Sequence, residues 1–145
     1  MAGPVAVLGW GSLLWEDRSI FDEWHDPWEY NGPSLRIEFS RVSSSRGGAL
    51  TLVIDPENGT SVRVAWCLTR RQTINEAIKD LCKREGTKVR NIGMIAAHGR
   101  AECHDHESLA AIRGWAAERK LDGVVWTDLR TNFATRPEDG RDFLC

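Results

Sequence analysis

Two short stretches hold residue types that could do chemistry together. One is Val7-Leu8-Gly9-Trp10-Gly11-Ser12-Leu13-Leu14-Trp15, an apolar run broken by two glycines and a serine. The other is Lys83-Arg84-Glu85-Gly86-Thr87. A strand that ends in a glycine turn can converge several backbone N–H groups on one small acceptor, since glycine permits close approach. Ser12 adds a hydroxyl. The turn differs from a dinucleotide fingerprint, because Leu14 stands where the third glycine belongs and no βαβ unit follows. It lacks the Gly-Lys-Ser/Thr of a phosphate loop, and it is not the Gly-x-Ser-x-Gly of a serine hydrolase. A tight turn with no ligand is the plain alternative.

Glu85 stands out by its angular position. Advancing about 100° per residue along a helix from 72 to 85, Ile74, Ile78 and Leu81 share a narrow arc flanked by Ala77 and Cys82. Glu85 falls inside that arc, whereas Glu76, Lys79, Asp80, Lys83 and Arg84 fall outside it, on what reads as a solvated face. A carboxylate turned inward at a helix C-terminus is disfavoured by desolvation and by the helix dipole. Both effects raise its expected proton affinity, which suits a general base or acid. The alternative is a helix that frays before residue 85 and leaves Glu85 in water beside Arg84 or Lys88.

A third polar stretch runs from His98 to His106, with three histidines, Cys103, Glu102 and Asp105. No partner cluster elsewhere completes a four-ligand metal site. It reads as a polar loop in which Asp105 or a neighbour caps the helix that follows. No metal is expected. His25, His98, His104 and His106 are all available as bases for Ser12, and spacing favours none of them.

The elements that must position these groups follow from periodicity. Pro4 to Leu8 is a strand apolar on both faces, and Glu16 to Pro33 is a long surface connection. Ser34 to Val42, Ala49 to Ile54 and Val62 to Leu68 form an antiparallel meander. A helix runs to Glu85, with Thr69 as its cap and Gly86 as its terminating glycine. Residues 88 to 97 form a strand, His106 to Lys120 a helix and Gly123 to Leu129 a last strand. Pro137 to Cys145 is a polar tail. The 145 residues suffice for one domain, 1–145.

With 19 basic and 21 acidic residues, the chain shows no footprint for nucleic acid. No apolar stretch is long enough to span a membrane, and the start MAGPVAVLG lacks the charged region of a signal peptide. A cytoplasmic location is expected. Cys67, Cys82, Cys103 and Cys145 show no CxxC spacing, so reduced thiols are expected. Four of seven tryptophans, Trp10, Trp15, Trp24 and Trp28, crowd one stretch, which suits either a pocket wall or a core.

In their order along the chain these pieces resemble the gamma-glutamyl cyclotransferase-like superfamily, nearest to its glutathione-degrading cyclotransferases. The resemblance rests on Trp10-Gly11-Ser12-Leu13 with Trp15, on Phe39-Ser40-Arg41-Val42-Ser43, and on Arg46-Gly47 before Thr51-Leu52. It rests also on the strand Val62 to Leu68 and on Glu85-Gly86. Trp10 replaces the family's usual tyrosine, and Thr87 stands where glutathione-specific members carry an aromatic residue. The resemblance implies an α+β fold, a small mixed, mostly antiparallel β-barrel flanked by helices. It implies catalysis by Glu85 and substrate binding by Trp10, Gly11, Ser12, Leu13 and Leu14. Arg41 and Arg46 are candidates for the substrate α-carboxylate. The implied reaction releases 5-oxoproline from a small gamma-glutamyl substrate, without metal or organic cofactor. Two other readings of the same residues are an amino-acid-derivative binder on this fold and a structural or interaction domain.

Overall fold

Val5, Ala6, Val7 and Leu8 are apolar on both sides of an extended chain, so a sheet that contains them has to be covered twice. The computed structural model describes residues 4–14, 24–43, 49–85, 87–96 and 99–129. Trp15, Arg46, Gly86, His98, Cys145 and the tail, for which the sequence raised expectations, lie outside these residues. The described strands are β1 (Val5–Gly9), β2 (Ser34–Ser43), β3 (Ala49–Ile54), β4 (Thr60–Arg63), β5 (Ala65–Leu68), β6 (Ile92–Ala96), β7 (Ala101–Glu102) and β8 (Gly123–Thr127). The helices are α1 (Ile74–Glu85) and α2 (His106–Glu118), with 3-10 turns at Gly11–Leu14 and Val89–Asn91.

Among the described residues the fold is a small α+β arrangement of two sheets and two helices. One sheet has the order β5-β1-β8-β6-β7 and the other β3-β2-β4, and no closed barrel forms among the described residues. All pairings are antiparallel except β1 with β8. The expected meander is corrected in two ways. Ser34–Ser43 is the central strand of its sheet, and the strand expected from Val62 to Leu68 breaks at Val64 into β4 and β5, which join different sheets. The break has a backbone cause: Val64 exchanges hydrogen bonds with the turn before β2, donating to the Pro33 carbonyl at 3.0 Å and accepting from Gly32 N–H at 2.9 Å. Beyond it, Ala65 to Leu68 pair with β1.

Each face of the five-stranded sheet has its own apolar core. Val5, Val7, Met94 and Val125 meet Ala77, Ile78 and Leu81 of α1, with Trp28 and Ile74 at the margin. Ala6, Leu8, Val124 and Trp126 meet Ile112, Trp115 and Ala116 of α2 and Leu35, Ile37 and Ile54 of the small sheet. The expected α1 stripe is present. Its start differs: Thr73, not Thr69, caps the helix, its hydroxyl accepting from Glu76 N–H at 3.2 Å and donating to the Glu76 carboxylate at 3.1 Å. Two residues expected on the solvated face, Asp80 and Arg84, are buried. Asp80 tolerates burial because the Arg71 guanidinium grips both its oxygens, at 2.9 and 3.1 Å. Arg71 in turn lies 3.7 Å from the centre of a Trp24 ring.

Trp126 is fully buried, and the space for its indole exists because position 93 on neighbouring β6 is glycine; a Cβ there would overlap the ring. Gly93→Ala is therefore expected to destabilise the fold by about 1–3 kcal/mol or more, through displacement of Trp126 in a close-packed core. Chemical denaturation followed by tryptophan fluorescence measures this, and an unchanged midpoint would contradict the close fit.

Candidate functional site

β1 and β8 run parallel, with Val7 opposite Val125, so Gly9 and Thr127 mark the same end of the sheet. Several chain segments converge there. The N–H after β8, that of Asp128, donates to the Asn91 carbonyl at 2.7 Å, and the Asn91 amide donates to the Thr87 hydroxyl at 2.8 Å. Thr87 N–H closes α1 on the Cys82 carbonyl at 3.0 Å. Ile74, at the other end of α1, lies over Gly123 and Val5. Helix α1 thus runs in the direction of β1, and its C-terminus, through Thr87 and Asn91, lies at the carboxyl end of β8.

Glu85 remains helical and partly enclosed, with a side chain 20% exposed, so the fraying alternative does not hold. Arg84 Nη1 lies 3.6 Å from Glu85 Oε2, and the Arg84 side chain is only 2% exposed.

The glycine turn is drawn toward the small sheet. Trp10 donates its indole N–H to the Leu52 carbonyl at 3.0 Å, and its ring packs in the second core. Gly11 has φ +63°, a left-handed conformation that glycine adopts without strain, and the position of a Cβ there lies 3.2 Å from Leu52 Cδ1. Gly11–Leu14 form a 3-10 turn in which Gly11 and Ser12, at its start, have N–H groups without an acceptor inside the turn. Leu14 folds back toward Gly9, beside Trp28, which fills the space above that glycine. Leu14 and Trp10 therefore pack the turn into the fold.

Arg41 lies on β2. A register shift between Phe39 and Arg41 sets Phe39 opposite Leu52 and Arg41 opposite Thr51, one residue from the strand position that meets Gly11. Burial pushes the Arg41 guanidinium below its ordinary value. Arg41 and the glycine turn thus both lie on the side of the small sheet, whereas α1, which carries Glu85, covers the opposite face of the large one.

The histidine-rich stretch contains an arrangement that spacing alone did not reveal. His104 donates its backbone N–H to Asp128 Oδ2 at 2.7 Å, and its Nδ1 lies 2.9 Å from Asp128 Oδ1, which also accepts from the Trp126 indole at 3.2 Å. This carboxylate closes the β7–α2 loop onto the end of β8. Burial pushes the Cys103 thiol beside it up to about 12. Among the described residues no group of three or more His, Cys, Asp or Glu side chains could hold a metal ion. The Asp105 cap is present, accepting from Ser108 N–H at 2.8 Å and Ser108 Oγ at 2.6 Å. Burial alone would push the Asp105 carboxyl up, but these bonds outweigh it and the net direction is down.

No protein-family model, curated protein or solved structure matches the chain. No helix among the described residues is long and apolar enough to cross a membrane.

Gly11→Ala is expected to cost about 1–2 kcal/mol from left-handed backbone strain alone. A thermal shift smaller than that of a surface Gly114→Ala control would contradict it. Asp105→Ala should cost about 1 kcal/mol near neutral pH through loss of the cap. Because the folded carboxyl lies below its unfolded value of about 3.9, the stabilisation is present above that value and fades as pH falls through the folded one. Denaturation curves of both proteins should therefore converge in acid, and a constant gap would refute the linkage.

Proposed function

We propose that the chain is a gamma-glutamyl cyclotransferase-type enzyme that releases 5-oxoproline from a gamma-glutamyl amide or peptide. What supports this reading is that the partly enclosed Glu85 closes a helix whose C-terminus lies at the carboxyl end of β8, while a turn with amides at its start leaves the same end of the neighbouring parallel strand β1. Crevices outside the carboxyl ends of parallel strands are a common place for ligands. On this reading the two sheets are parts of an opened barrel flanked by α1 and α2, and the compartment is the cytoplasm.

The substrate's α-amino group attacks its own γ-carbonyl carbon. A C–N bond forms to close the five-membered ring, and the original amide C–N bond breaks to free the amine. Glu85 accepts the proton that the α-ammonium group must lose before attack and returns it to the departing nitrogen, and the second proton shed by the ring nitrogen after the bond forms leaves on the amine as its ammonium ion. Amides of Gly11 and Ser12, at the start of the turn, stabilise the oxyanion, each worth about 3 kcal/mol in such sites, while the Leu13 N–H expected with them is taken up inside the 3-10 turn. The site also holds an otherwise extended gamma-glutamyl chain in ring-closing geometry. The chemistry asks for no metal or organic cofactor and for no nucleic-acid or membrane partner. Arg41 and Arg46 are the proposed contacts of the α-carboxylate.

A panel of gamma-glutamyl amides, assayed for 5-oxoproline with wild type and Glu85→Gln, tests the reading. Release by the wild type that drops by about a hundredfold or more in Glu85→Gln is the expected result. Equal release by both proteins would remove Glu85 from the chemistry. Tryptophan fluorescence that responds to 5-oxoproline or the amides, with no product formed, would favour a binding protein instead.

A further inference from the structure

Two guanidinium groups converge on one backbone oxygen at the turn before β2. Arg63, the last residue of β4, donates through Nη2 to the Asn31 carbonyl at 2.8 Å and through Nε to the Gly32 carbonyl at 3.0 Å. Arg119, the C-cap of α2, donates through Nη2 to the same Asn31 oxygen at 3.3 Å, and the Trp115 indole donates to it at 3.3 Å as well. A carbonyl oxygen has two lone pairs, so three donors exceed what it can serve. Like charges that share an oxygen also repel, and the usual remedy is a carboxylate that accepts from both. Among the described residues neither Arg63 nor Arg119 is paired with a carboxylate, although the chain carries 21 acidic residues against 19 basic ones.

Other contacts hold the two groups in place. The Arg119 guanidinium lies 5.0 Å from the ring centre of Trp115 and 5.6 Å from that of Trp66, two indoles that meet edge to face. Trp66 fixes the turn itself, donating to Asn31 Oδ1 at 2.6 Å. Contact with an aromatic face orients a guanidinium without cancelling its charge. Each guanidinium has five N–H donors, of which Arg63 spends two and Arg119 one on the protein. Asn31 and Arg63 are exposed and Arg119 is half-buried, so the cluster opens at the surface.

We propose that Arg63 and Arg119 form an anion site that takes a small, doubly charged oxyanion, inorganic phosphate or the phosphate group of a monoester. Two cations without a counter-ion are balanced by a dianion better than by a single carboxylate, and planar guanidinium forks match phosphate oxygens two at a time. The bound anion accepts from donors that Asn31 alone cannot satisfy, and so ties the end of β4, the end of α2 and the turn together. The site does not depend on the reading of Glu85: Trp66 and Trp115 belong to the core on the α2 side of the large sheet, and α1 covers the other face.

Calorimetric titration at constant ionic strength and about pH 8, where phosphate is doubly charged, tests this with inorganic phosphate, phenyl phosphate and acetate. The proteins compared are wild type, Arg63→Gln, Arg119→Gln and, as a control, Arg113→Gln, which alters an exposed arginine of α2 outside the cluster. Saturable binding of phosphate is expected, weakened about tenfold or more in Arg63→Gln and in Arg119→Gln, unchanged in Arg113→Gln, and about tenfold or more tighter than binding of acetate. Phenyl phosphate bound more tightly than inorganic phosphate identifies a monoester as the ligand, and the reverse order identifies the free ion. Thermal melts check folding, and should Arg119→Gln unfold, the exposed Arg63→Gln decides alone. The site is refuted if neither phosphate binds saturably, if Arg113→Gln loses as much as the cluster variants, or if acetate binds as tightly as phosphate.

Discussion

The pairing of β1 with β8 is the constraint from which the rest of this structure follows. Both strands are apolar on both faces and every residue in them is buried, so the sheet that contains them must carry a layer on each side. Helix α1 supplies one layer; α2 and the small sheet supply the other. Because β1 and β8 are parallel, their carboxyl ends lie side by side, and the chain that leaves each strand enters the same region. The Gly11 turn and Asp128 are those two exits.

Helix α1 completes that end by its direction. Capped by Thr73 and closed by Thr87, it lies along β1 and brings its C-terminus to the exit of β8. Its buried face carries more than the apolar stripe. Asp80 and Arg84 are enclosed as well, each with an oppositely charged neighbour, so charge pairing and apolar contact share the work of holding the helix.

On the other face the same sheet end is closed by Asp128, which gathers donors from His104 and Trp126. The histidine-rich loop is thus an anchored connection into α2. Trp10, read as a candidate ligand contact, spends its indole N–H on Leu52 and joins the glycine turn to the small sheet. Trp126 and Trp115 are likewise large buried bodies whose indole N–H finds a partner, the Asp128 carboxylate and the Asn31 carbonyl.

Local pattern was enough to determine the strand β1, the inward stripe of α1, the helical place of Glu85, the Asp105 cap and the glycine turn, because each depends on residue types a few positions apart. Tertiary structure alone decided the split at Val64, the central place of β2, the burial of Asp80 and Arg84, and the bond between His104 and Asp128. The split at Val64 and the bond of His104 depend on partners far along the chain, Pro33 and Asp128, the latter 24 residues away, and Asp80 is met by Arg71 from before the helix. A helical wheel shows which way a charge points but not what comes to meet it. That difference is why the carboxylate was legible from the sequence and the guanidinium beside it was not.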